Sequence, residues 1–213
     1  MKQRAPLVFS FSLLILFIFT VTASSSFGVD LDSYVALKAG VYSPQEDPFK
    51  DFDNGLNGEI SVGAYFTPNF ALELGVGYFE SEGSGAIVAP GPVIVPAEGK
   101  ITVIPITVNT KYLYPVGGAE PYAEAGIGVY VADAELSGGG FDLSDRYTNV
   151  GVFLGLGCNI NISRNIFLGI EGRYHWVAEH KFTLGQATRD VEIDGFTATA
   201  NLGYRYGIGL HGE

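Results

Sequence analysis

The sequence predicts an all-β fold, an eight-stranded antiparallel up-and-down β-barrel that crosses a membrane, with long extracellular loops at one end and short periplasmic turns at the other. Three observations predict it. After residue 30 the apolar residues recur with a period of two, which is typical of strands and not of helices. Eight segments show this period, and the connections between them alternate between short and long.

The first 23 residues are predicted to be a secretory signal peptide, and residues 24–213 a single outer-membrane β-barrel domain. Lys2 and Arg4 precede an apolar run over residues 7–21, and small residues lead to a cleavage point after Ala23. The alternative is an N-terminal membrane anchor, for which this run is short of the roughly 20 residues that a spanning helix needs.

Each predicted strand sets an apolar face against a polar or glycine-rich face. In residues 196–206, for example, Phe196, Leu202 and Tyr204 lie on one face, whereas Thr197 and Arg205 lie on the other. Strands of about 8 to 12 residues suit a tilted membrane crossing. The eight predicted strands are residues 34–42, 59–66, 70–79, 103–114, 122–131, 150–160, 166–176 and 196–206.

The connections at residues 67–69, 115–120 and 161–165 are predicted to be tight turns at one end of the barrel. The long connections are residues 43–58, 80–100, 132–148 and 177–195. Within the second of these, residues 83–99 are apolar, and Pro90, Pro92 and Pro96 are expected to prevent regular strand pairing. The first long connection is acidic and hints at a calcium loop, but its glycine is misplaced for an EF-hand, which favours a solvated loop.

The two faces of the strands allow two arrangements. In a soluble barrel the apolar face fills the interior, whereas in a membrane barrel it faces lipid and the polar face lines the lumen. Aromatic residues of the apolar face lie near both strand ends, which is typical of girdles at the two lipid–water interfaces and favours the membrane arrangement. The predicted girdles are Phe66, Tyr112, Tyr114, Tyr204 and Tyr206 at the short-turn end, and Tyr78, Tyr174, Trp176 and Phe196 at the long-loop end.

Charge and cysteine content exclude other classes. The formal net charge is −11, and removing residues 1–23, which hold two basic and no acidic residues, leaves −13. Such a chain lacks the basic footprint that nucleic acid binding requires. The lone Cys158 rules out an internal disulfide and cysteine-based zinc spacings. No metal site and no cofactor is predicted.

Three runs resemble the strands of small outer-membrane barrels: EPYAEAGIGVYVADAE at residues 120–135, ITVIPITVNTKYLYP at 101–115 and VALKAGVYSP at 35–44. They are similar to the OmpW-like and OmpA-membrane-domain-like porin-family proteins of Gram-negative bacteria. The resemblance implies a location in the outer membrane, contact with its lipid and lipopolysaccharide, and insertion by the barrel-assembly machinery. One departure is that seven residues follow Tyr206, where family members often end in an aromatic residue.

The polar face carries a set of charges that is predicted to fill the lumen as an ion-paired network, with a narrow conduit as the alternative. Glu171, Arg173 and His175 could instead form a catalytic row, but no serine or cysteine nucleophile accompanies His175 in the local sequence. The predicted lumen charges are Lys38, Glu59, Glu73, Lys111, Glu124, Glu171, Arg173 and Arg205.

Three functions follow as hypotheses. The favoured one is a non-enzymatic protein with a structural or surface-interaction role through its loops. The second, implied by the resemblance, is an OmpW-like channel for small hydrophobic molecules, in which the apolar residues 83–99 would receive the ligand. The third and least favoured is a lipid-modifying barrel enzyme.

Overall fold

A computed structural model describes residues 32–45, 54–89, 93–138, 141–178, 180–184, 187–191 and 193–207. The predicted signal peptide at residues 1–23 lies outside these ranges. So do Pro90, Pro92 and most of the acidic stretch in the first long connection.

Eight strands form an antiparallel barrel: β1 (Asp32–Pro44), β2 (Gly55–Thr67), β3 (Phe70–Ala89), β4 (Val93–Leu113), β5 (Ala119–Gly138), β6 (Phe141–Asn161), β7 (Ile166–Val177) and β10 (Gly195–Tyr206). They close in the order β1-β10-β7-β6-β5-β4-β3-β2. The closure joins β1 to β10, with Ser33 opposite Tyr206 and Pro44 opposite Gly195. The predicted fold class is therefore confirmed.

Strands β3 to β6 are much longer than predicted. They have 20 or 21 residues, whereas β1, β2, β7 and β10 have 12 or 13. The predicted long loops at residues 80–100 and 132–148 are thus largely paired strands, and those two predictions are wrong. We name the extension formed by residues 81–89, 93–101, 132–138 and 141–149 the projecting sheet.

Pro96 does not prevent pairing, contrary to the prediction. It lies in β4 opposite Ala86 of β3. The pairing of β4 with β5 begins only at Ala97, so Pro96 lies at an edge of the sheet, where the missing N–H removes no bond to β5. Proline is therefore compatible with a strand at such an edge of a sheet.

The fourth long connection contains a short hairpin of its own. Strands β8 (His180–Leu184) and β9 (Ala187–Val191) pair with each other in a separate two-stranded sheet. The other end of the barrel has tight turns, as predicted. In the β4–β5 turn, Val116 and Ala119 exchange backbone hydrogen bonds, and Gly117 adopts a positive φ of 62°, which favours glycine in such a hairpin.

The polar face of the strands lies inside the barrel and the apolar face outside. Glu73, Arg173 and Lys38 are buried, whereas Leu154, Leu156 and Ile170 are more than half exposed. This is the inverse of a soluble protein and matches a barrel whose outer wall faces lipid. Among the described residues, no helix is long and apolar enough to cross a membrane.

Candidate functional site

The candidate site is a cluster of seven buried charged side chains in the middle of the lumen, which we name the lumen core. Six strands contribute to it, because inward-facing residues alternate along every strand and the small barrel brings all of them to its axis. The lumen core consists of Lys38 from β1, Glu59 from β2, Glu73 from β3, Lys111 from β4, Glu124 from β5, and Glu171 and Arg173 from β7.

Lys38 bridges three carboxylates from three other strands. Its Nζ lies 2.8 Å from Glu59 Oε1, 2.8 Å from Glu73 Oε1 and 3.2 Å from Glu171 Oε1. Both ends of each pair are shielded from water, so the attraction is only weakly screened.

Arg173 contacts all four carboxylates of the lumen core. Its Nη1 lies 2.7 Å from Glu59 Oε2, and its Nε lies 2.6 Å from Glu124 Oε1 and 2.8 Å from Glu171 Oε1. Nη2 lies 3.2 Å from Glu73 Oε1. The guanidinium also lies 4.8 Å from the centroid of the Phe153 ring, in cation–π contact. Arginine suits this position because its planar fork presents five donors.

Lys111 and two tyrosines complete the bonding. Lys111 Nζ lies 2.8 Å from Glu73 Oε2 and 3.3 Å from Glu171 Oε2. The hydroxyl of Tyr34 donates to Glu73 Oε2 at 2.6 Å, and that of Tyr122 donates to Glu171 Oε2 at 2.8 Å. The two tyrosines thus supply donors that carry no charge.

Arg205 lies apart from the lumen core, although the sequence predicted it among the charges of a single lumen network. It sits at the short-turn end and pairs with Glu120 Oε2 at 2.5 Å. Its Nη1 also donates to Asn161 Oδ1 at 2.6 Å. The separation arises because Arg205 is the penultimate residue of β10, so its level in the barrel is that of the strand ends.

Two apolar clusters lie on either side of the lumen core. The short-turn cluster comprises Tyr34, Ala36, Tyr65, Ala71, Leu113, Tyr122 and Phe167. The loop-end cluster comprises Tyr42, Phe79, Ile101, Val103, Tyr130, Ala132, Tyr147, Val177 and Ile193. Side chains thus fill the lumen in layers, with charge in the middle and aromatic rings towards both ends.

His175 lies between the lumen core and the loop-end cluster. The Tyr130 hydroxyl and His175 Nδ1 are 2.9 Å apart, and Thr197 Oγ1 is 3.1 Å from Nε2. The rings of Phe79 and Phe153 flank the imidazole, each with its centroid 5.3 Å away. Both ring nitrogens are engaged and the side chain is only 2 % exposed, so the geometry supplies a packing role and no open reaction centre.

Three carboxylates of the lumen core have the spacing of a metal site. Glu73, Glu124 and Glu171 each offer an oxygen atom within 4.8 Å of the others. Lys111 Nζ, however, lies 2.8, 3.9 and 3.3 Å from these three carboxylates, so an ammonium group already occupies the position among them. The three carboxylates therefore bind the ammonium group of Lys111.

The predicted girdle residues all lie on the outer wall. Tyr174 is half-buried beside Trp176, with ring centroids 4.7 Å apart, and the others are exposed. Their role at the lipid–water interfaces stays a prediction. The exposed members are Phe66, Tyr78, Tyr112, Tyr114, Trp176, Phe196, Tyr204 and Tyr206.

Sequence reasoning missed several partners of the buried charges. The uncharged partners Tyr34, Tyr122 and Asn109 are absent from the predicted site residues, and so is Glu120, the partner of Arg205. Asn109 donates to Glu124 Oε2 at 2.7 Å. The signal that could have found them is position, because each shares the inward face of its strand with a predicted charge.

An apolar groove of about 510 Å³ runs along the outer wall across β4 to β7. It lies over Ala125 and Gly126, where small residues leave a depression between larger neighbours. On the inner side of the wall, the Phe153 ring packs against Gly126 so closely that a Cβ there would lie 2.4 Å from it. The larger outward-facing neighbours are Val108, Ile127, Val152, Leu154 and Trp176.

A closed barrel with an apolar outer wall and an ion-paired lumen defines a transmembrane β-barrel. The sequence profile of the outer membrane protein beta-barrel domain matches residues 9–206. The chain therefore belongs to this family, and its predicted location in the outer membrane is confirmed. No curated protein matches the chain by sequence.

Solved structures show the same fold at low sequence identity. OprG from Pseudomonas aeruginosa superposes with a TM-score of 0.60 at 14% identity, over 83% of this chain and 96% of OprG. A major outer membrane protein from Thermus thermophilus gives 0.58 at 12% identity, over 83% and 99%. Ail, the attachment invasion locus protein of Yersinia pestis, gives 0.54 at 14% identity, over 84% and 100%.

Proposed function

We propose that this outer-membrane barrel is a non-enzymatic surface-interaction protein, in which the lumen is a closed structural core and the projecting sheet presents the binding surface. The observation that carries the proposal is the length of β3 to β6. These strands exceed their neighbours by about eight residues, or roughly 25 Å of extended chain. A barrel that only spans the membrane has no use for such an extension.

The charge of the projecting sheet indicates the kind of partner. Its four segments hold six acidic residues and two basic ones. Both basic residues already face acids: Lys100 lies 2.9 Å from Glu80 and 2.8 Å from Glu82, and Arg146 lies 3.7 Å from Asp133. The excess of acidic residues in these four segments suits a basic partner. Ail has been crystallised with the heparin analogue sucrose octasulfate, but a polyanion of that kind does not suit this sheet.

The layered lumen supports the structural half of the proposal. An eight-stranded barrel has an interior just wide enough for side chains. Here charges and rings fill it, and His175, the residue on which an enzymatic role would depend, is enclosed with both nitrogens engaged. The same enclosure argues against a lipid-modifying activity.

A second candidate function is passage of small hydrophobic molecules, as the resemblance implied. The observations that favour it are the apolar loop-end cluster at the mouth of the lumen and the apolar groove outside Gly126. For a molecule to pass from one to the other, the Phe153 ring would have to move, together with the Arg173 guanidinium that stacks on it.

One pair of truncations tests both candidates. Gly83 and Gly99 are cross-strand partners, so replacing residues 84–98 with Asn-Gly closes β3 and β4 in a two-residue hairpin and leaves the rest of the barrel intact. Ala134 and Asp145 are likewise partners, so the same turn in place of residues 135–144 shortens the β5–β6 hairpin as the matched variant.

We expect both truncated proteins to reach the cell surface in normal amounts and to attach more weakly to a positively charged surface such as poly-lysine. Uptake of a hydrophobic fluorescent compound should not change. Undiminished attachment in both variants would contradict the surface-interaction proposal, and loss of uptake with retained attachment would favour the second candidate.

A further inference from the structure

The lumen core is one positive charge short. It holds four carboxylates and three cationic side chains, and all seven are buried. Groups buried this deeply are poorly hydrated, so an unbalanced charge among them is costly. The tyrosine hydroxyls that donate to Glu73 and Glu171 supply hydrogen bonds but no compensating charge. One further positive charge would therefore stabilise the lumen core.

Among the buried side-chain oxygen atoms that lack a hydrogen-bond partner in the described part of the chain, two bear on this question. They are Ser61 Oγ and Asn109 Oδ1. Both residues are only 1 % exposed. The Asn109 amide nitrogen donates to Glu124 Oε2, which fixes the carbonyl oxygen within the cluster. Buried polar atoms without partners are rare in native proteins and indicate a missing ligand or water.

In the strand register Ser61 lies opposite Gly75, and Asn109 lies opposite Glu73, the next inward-facing residue of β3. Gly75 of β3 stands between Ser61 of β2 and Thr107 of β4 in the strand register. The point that a Gly75 Cβ would occupy lies 2.9 Å from Thr107 Oγ1 and 3.0 Å from Glu59 Oε1. Asn109 lies two residues further along β4 on the same face. Oxygen atoms from two strands therefore converge over a residue without a side chain.

We propose that this niche binds one alkali-metal cation, Na⁺ or K⁺, through oxygen atoms of Glu59, Ser61, Thr107 and Asn109. The donor set is purely oxygen, as hard cations require, and has no nitrogen or sulfur ligand for a transition metal. A single positive charge neutralises the lumen core, whereas a divalent ion leaves an excess of one. Glu59 Oε1 also pairs with Lys38 at 2.8 Å, and its two lone pairs allow both contacts.

The test is the thermal unfolding of the full-length protein in detergent micelles, followed by far-UV circular dichroism. NaCl, KCl and N-methyl-D-glucamine chloride are compared at equal ionic strength. We expect the unfolding temperature to rise and saturate with Na⁺ or K⁺ concentration and to stay flat with the organic cation, which is too large for the niche. Equal unfolding temperatures in the three salts would overturn the proposal. Water bound to the unpartnered oxygen atoms, or a proton on one carboxylate, would then be enough to stabilise the lumen core.

Variants assign the effect to the niche. Glu59→Gln removes the excess negative charge and should abolish the alkali-dependent shift, and Ser61→Ala should raise the half-saturating concentration several-fold. Glu120→Gln, in the separate pair with Arg205, is the control and should keep the shift unchanged. If Glu59→Gln does not fold, the half-saturating cation concentration of Ser61→Ala decides whether the niche is the binding site. A shift that persists unaltered in the niche variants belongs to another site and refutes the assignment.

Discussion

Each carboxylate oxygen of the lumen core lies within hydrogen-bonding distance of a donor. Glu73 shows the pattern: Oε1 meets Lys38 and Arg173, and Oε2 meets Lys111 and the Tyr34 hydroxyl. Such bonding is what allows charge to be buried at all, because a buried ion without partners carries a large desolvation penalty. Arg173 is the residue with the most partners, so its removal leaves the largest uncompensated charge.

We expect Arg173→Met to lower the free energy of unfolding by about 3–5 kcal/mol, the usual cost of removing one member of a buried ion pair. Replacing Glu124 by Gln in the same chain should recover part of the loss, because one unpaired carboxylate is then neutralised. Urea unfolding in lipid vesicles, followed by fluorescence, measures both values. A loss below about 1 kcal/mol, as for an exposed pair, would show that the network is hydrated and not a buried core.

At the scale of single strands, alternation is what the sequence revealed most reliably. The period of two located all eight strands of the barrel, because one face meets lipid and the other a crowded lumen. It failed above the membrane, where residues 83–99 form one apolar run with prolines and no clear alternation. Strand pairing there depends on register with neighbouring strands, which no local pattern encodes.

Glycine on the inward face makes room for aromatic rings of the neighbouring strand. A Cβ on Gly63 would lie 2.3 Å from Tyr34 Cζ, and one on Gly203 would lie 1.9 Å from Phe167 Cζ. The sequence showed that this face is rich in glycine, but it could not show which ring fills which gap. For the same reason, the hydrogen bond from Tyr34 to Glu73 could not be predicted from the sequence.

We expect Gly63→Ala to lower the free energy of unfolding by about 1–3 kcal/mol, the usual cost of overpacking a filled interior. The added methyl group displaces the Tyr34 ring and weakens its bond to Glu73. Gly118→Ala in the β4–β5 turn is the control, since nothing lies within 4 Å of its Cβ position. Equal stability of the two variants in the same urea titration would contradict the packing described for Tyr34.

In the whole molecule, layers of side chains fill the lumen, and these layers determine whether the barrel is closed or can conduct. The short-turn cluster, the lumen core and the loop-end cluster follow one another along the axis. Sequence alone placed the charges on the inward face, but it could not show that Arg205 pairs with Glu120, apart from the other seven charges. Those contacts cross the barrel between strands far apart in sequence, as in the pair of Glu59 with Arg173.

The central claim is that this lumen is a closed core, and single-channel recording in planar lipid bilayers tests it most directly. We expect the purified protein to insert without discrete, steady conductance steps. Arg173→Met, which removes the side chain that contacts all four carboxylates, should produce transient openings and so prove that insertion occurred. Stable, salt-dependent conductance by the unaltered protein would contradict the account and favour a channel.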